Sequence, residues 1–126
     1  MENRNPSYRG RGFAQAAFVV LAWLFVACVV VQTMLAGMAV FANPEHWSSH
    51  VIFVRFFEFL PFLMLIFSFA AKLPVPLRWQ SFGLYAIIFI QYMTANLPGA
   101  GLLHPVIALF LFWFSVRIAK LGWQAR

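Results

Sequence analysis

Charge is scarce in this chain. Only 10% of its 126 residues are charged, and three of those are acidic. A water-soluble domain usually carries about 25% charged residues. Too little polar side chain exists here to coat a water-facing globule, which excludes an ordinary soluble domain. Cysteine is almost absent too. Cys28 stands alone within an apolar run, so no internal disulfide can form. No Gly-rich phosphate loop is present; Arg9-Gly10-Arg11-Gly12 is too short and reads as a basic flank. Apolar residues do not alternate with a period of two, and the apolar runs far exceed the roughly 10 residues of a tilted barrel strand. There is no soluble catalytic domain and no nucleophile constellation.

What the chain has instead is 63% hydrophobic residues, including 16 phenylalanines and five tryptophans. They fall into four segments. The first runs from about residue 13 to 41 without a charge and is closed by Asn43 and Pro44. A bilayer core of about 30 Å needs about 20 helical residues, so this run is long enough to tilt or protrude. Three arginines precede it as in a signal peptide, but signal cores are only about 7–15 residues. It reads as a retained span. The second covers about 50–71, with Ser48 and Ser49 as plausible caps and Pro61 as a kink. Pro74 and Pro76 make residues 72–78 a stop. The third covers about 79–97, closed by Pro98 to Gly101, and the fourth about 104–122, with Pro105 in its first turn. The expected fold is all-α, a single transmembrane antiparallel four-helix up-down bundle.

Orientation follows from lysine and arginine. Arg4, Arg9, Arg11, Lys72, Arg78, Arg117, Lys120 and Arg126 fall on one side; the loops around 42–49 and 98–103 have none. The net charge of +6 is therefore a topology signal rather than a nucleic-acid-binding patch. It predicts a multi-pass protein of the inner (plasma) membrane with both termini cytoplasmic. Trp79, Trp113 and Trp123 suit the inner interface and Trp47 the outer one.

On this topology His50 and His104 open the second and fourth spans at one depth on the outer side. Only Arg55 and Glu58 are charged within spans, and at i, i+3 they could pair. They lie about 7 and 12 Å below His50 by helical rise. Gln32 and Gln91 occupy the same outer half. The inner half offers little beyond Ser68, Ser81 and Ser115. A ladder of Ala108, Leu111 and Ser115 lies under His104, and of Val54, Phe57 and Pro61 under His50. Small residues Cys28, Ala36 and Ala39 surround Gln32 on the first span. Ser48, Ser49 or a loop carbonyl are candidates to hold each imidazole's second nitrogen.

The string Val31-Gln32-Thr33-Met34-Leu35-Ala36-Gly37, His50 opening span two, Gln91 in span three and Leu103-His104-Pro105 opening span four resemble an uncharacterised family of small four-span bacterial membrane proteins. The arrangement is also similar to one half of haem A synthase, a four-helix bundle with haem-ligating histidines on helices two and four. That resemblance implies His50 and His104 as ligands of the iron of a haem b; Gln32, Gln91 and Arg55, in the same half of the bundle, are the candidate residues around it. A small b-type cytochrome of this kind would exchange electrons with a quinone or a membrane redox partner. The resemblance does not extend to haem A synthesis, because the acidic motif of the first outer loop has no clear counterpart here. The competing expectation is a cofactor-free accessory or scaffold subunit of a larger membrane complex. Proton-coupled transport through Glu58 is a third.

Overall fold

A computed structural model describes residues 6–126. Arg4 therefore lies outside the described residues. These residues form five α-helices and one 3₁₀ turn, with no strand among them. Helix α1 spans Pro6–Phe41, α2 His46–Phe57, α3 Leu60–Ala70, α4 Val75–Asn96 and α5 His104–Gln124; the 3₁₀ turn is Ala100–Leu102. Three segments are long and apolar enough to cross a membrane: Arg9–Phe41, His46–Ala70 and Ala100–Gln124. Helix α4 has the length but not the apolarity, since Arg78, Gln80, Gln91 and Asn96 interrupt it.

Helices α2 and α3 are one rod broken at Glu58 and Phe59. Pro61 sits in the first turn of α3. Lacking an N–H, it cannot bond the carbonyl four residues back, and its ring crowds that carbonyl. The four rods then pack in a closed ring. Helix α1 touches α2–α3 and α5, and α4 touches α3 and α5. Phe13 meets Phe67 and Phe25 meets Phe57, so sequence numbers rise along α1 as they fall along its neighbour.

Two helix starts differ from the sequence expectation. Helix α2 opens at His46, so His50 lies one turn inside it rather than at its mouth. The Asn43 side chain accepts the Glu45 backbone N–H at 2.9 Å and turns the chain early. Ser48 caps nothing; its hydroxyl donates to the Glu45 carbonyl at 2.8 Å. Helix α4 opens at Val75 rather than near Trp79, because Pro76 falls in its first turn, where a missing N–H costs nothing. Pro74 and Pro76 follow the end of α3 at Ala70 and also start the next helix. Only residues 71–74 separate α3 from α4, and Lys72 takes a left-handed φ of 53° there.

The core is apolar, with Phe18, Phe25, Met64, Leu84 and Ile118 fully buried. Ser68, Ser81 and Ser115 are buried with them, one on each of three rods. Each hydroxyl donates to a carbonyl of its own preceding turn, at 2.6–2.9 Å. None is left unpaired, and their small size allows close helix approach. Around this core most large apolar side chains face outward, as a lipid environment requires.

Candidate functional site

Both histidines lie on inward faces. Four residues below His104, Ala108 is half-buried, and Leu111 and Ser115 are buried. Below His50, Val54 is half-buried while Phe57 and Pro61 are buried. Their elements do not pack side by side, yet the two rings meet across the ring of rods, with centroids 6.4 Å apart and planes at 64°. Two imidazoles bonded through one nitrogen each to a single ion would stand at about this separation. Each metal–nitrogen bond is about 2 Å, and half a ring width completes each side.

Each ring is oriented from its δ nitrogen. Nδ1 of His50 donates to the Gln32 carbonyl at 3.0 Å, while Gln32 Nε2 donates back to the His50 carbonyl at 2.8 Å. The two residues clasp each other, side chain to backbone in both directions. Nδ1 of His104 donates to the Gln91 carbonyl at 3.1 Å. The buried Thr94 hydroxyl lies 3.0 Å from the same nitrogen and donates its own proton to the Gln91 carbonyl at 2.9 Å. A carbonyl oxygen only accepts, so both δ nitrogens carry protons. In the neutral imidazole the ε nitrogen then keeps its lone pair, the form in which imidazole binds a metal. The loop groups expected to hold the rings are not the ones used; helix carbonyls on α1 and α4 do that work. Trp47 stands edge-on to His50, its ring centre 5.7 Å away.

The remaining expected residues divide. Gln32 and Gln91 are at the site, Gln91 through its backbone. Arg55 is exposed, off the face that carries His50, and is not brought to the pair. Glu58 takes the Tyr92 hydroxyl of α4 rather than serving as a helix-surface partner for Arg55. Among the described residues no group of three or more His, Cys, Asp or Glu could hold a metal.

Thr94 was not singled out from the sequence, but a repeat marks the two glutamines of the site. Val31-Gln32-Thr33-Met34-Leu35-Ala36 on α1 matches Ile90-Gln91-Tyr92-Met93-Thr94-Ala95 on α4. In both copies a helix carries Gln-x-Met-x-Ala, and the glutamine's carbonyl receives the δ nitrogen of a histidine on the next helix. The site is thus built from two similar hairpins, α1–α2 and α4–α5.

The fold and site define an all-helical protein with membrane-length apolar segments and a paired-imidazole site between two hairpins. The chain belongs to a family of unknown function, DUF6220, whose model matches residues 32–97. The match opens at Gln32, takes in His50, Gln91 and Thr94, and stops short of His104. No curated protein and no solved structure matches the chain.

Proposed function

We propose that the chain is a small electron-transfer protein that holds one haem b between His50 and His104. In this reading it is an up-down antiparallel bundle of four spans in the plasma membrane, both termini cytoplasmic. The observation that carries it is the pair of rings 6.4 Å apart, each protonated at Nδ1 by the demand of a helix carbonyl. The residues present fit the group. Two protein ligands, with no third among the described residues, are too few for a closed ion cage, whose structural sites take four. They suffice for a metal that arrives in a planar macrocycle carrying its own four nitrogens. Small side chains on the α1 face beside Gln32, at Ala36 and Ala39, limit steric bulk there.

Held by His50 and His104, such a group would supply one-electron transfer. The chain's own residues do the rest. The Gln32 clasp and the Thr94 hydroxyl fix the imidazoles and raise their basicity as ligands. A quinone or a membrane redox protein is the natural partner. The test is an absorption spectrum of protein purified after haem-replete expression. The expected result is a Soret band with a sharpened α band on reduction. A colourless, correctly folded protein would overturn the reading and favour the cofactor-free accessory subunit.

The Thr94→Val variant tests the hydrogen bonds. It keeps size but removes the hydroxyl beside His104. Haem retention in a competition assay with apomyoglobin should weaken by at most about tenfold, the low end of the cost of losing a ligand's partner, because the Gln91 carbonyl stays. The α-band position should stay, because both ligands remain.

A further inference from the structure

At the opposite end of the bundle, Trp23 of α1 faces Lys120, Trp123 and Gln124 of α5 across a groove of about 340 Å³. Both indoles are exposed, so the groove opens toward the surroundings of the helices. The Arg126 guanidinium lies over the Trp123 ring, 5.0 Å from its centroid. Two cations, Lys120 and Arg126, thus flank one indole. Among the described residues the acidic side chains are Glu45, at the other end of the bundle, and Glu58, which takes the Tyr92 hydroxyl of α4; neither lines the groove. The two cations call for an anion, and the two indoles call for an apolar chain. A second copy of this chain would bring the same two cations and is disfavoured by like charge.

We propose that this groove binds one anionic phospholipid of the cytoplasmic leaflet. Its phosphate meets Lys120 and Arg126, the guanidinium offering two parallel donors. An acyl chain lies along Trp23 and Trp123, where aromatic rings sit at the headgroup boundary. The site is independent of the haem reading, since it lies at the other end of α1 and α5 and shares no residue with the histidine pair.

Native mass spectrometry of the full chain in mild detergent tests this, with phosphatidylglycerol and phosphatidylcholine of identical acyl chains as probes. Wild type is expected to retain one phosphatidylglycerol in preference to phosphatidylcholine. Lys120→Gln and Arg126→Gln should each weaken retention about fivefold, the value of one basic residue near an anionic surface. All these side chains are exposed, so the fold should survive. Lys72→Gln, a cation away from the groove, should change little. Equal retention of the two lipids would overturn the proposal. So would an effect of Lys72→Gln as large as that of Lys120→Gln, which would reduce the preference to general surface charge.

Discussion

His50→Ala and His104→Ala are each expected to abolish the Soret band while leaving the helical circular dichroism unchanged. The magnitudes support this split. Loss of one imidazole removes a metal–ligand bond, and even a hydrogen-bond partner of such a ligand is worth about 10–100-fold in affinity. The fold loses far less. His50 contributes one ring hydrogen bond to Gln32, of the order of 1 kcal/mol, and the reciprocal bond to its carbonyl survives substitution. His46→Ala is the discriminating control. His46 is the first residue of α2, one turn before His50, and its ring is not in the pair with His104. Its loss should leave the band intact. Should His50→Ala keep the band and His46→Ala lose it, the pairing described above is wrong.

The largest expected effect on stability lies at the α1–α5 seam. A Cβ added at Gly122 would stand 2.7 Å from Cε1 of Phe18 and 3.0 Å from its Cδ1. Phe18 is 0% exposed, so its ring has nowhere to go. Overpacking of this kind costs about 1–3 kcal/mol. For alanine the better helix propensity, about 1 kcal/mol, offsets part of that. Gly122→Leu should show the cost more fully, as a lowered thermal midpoint in detergent. Gly37 supplies the contrast. Nothing lies within 4 Å of a Cβ there, so Gly37→Ala should match or exceed wild type. If Gly122→Leu melted at the wild-type temperature, the close approach of α1 and α5 would not exist in solution.

How far the sequence spoke depended on the kind of signal. Long uncharged runs and prolines are one-dimensional, so the helical class and the break at Pro61 were readable. Helix starts were not, because they depend on local competition. Asn43 captured the Glu45 N–H and moved the start of α2 to His46, and Pro76, part of the stop after α3, also opened α4. The histidine pair was readable because depth follows from span topology. Its hydrogen bonds were hidden, since the acceptors are backbone carbonyls that any residue would supply. Glu58 followed the same logic. Its neighbour in sequence was Arg55, but the helix break and packing brought it Tyr92, 34 positions away.

One consequence of the carbonyl acceptors concerns evolvability. A side-chain partner can be lost by a single substitution; a main-chain oxygen cannot. The protonation pattern of His50 and His104 is thus inherited from the register of α1 against α2 and of α4 against α5, not from the identity of residues 32 and 91. Position 91 can change its side chain and still seat the His104 ring, provided the helix keeps its place. Substitutions that slide α1 along α2, or α4 along α5, by a single turn would disable that pair's imidazole without touching it. The vulnerable element of this site is alignment, and sequence drift at position 91 is the change it tolerates best.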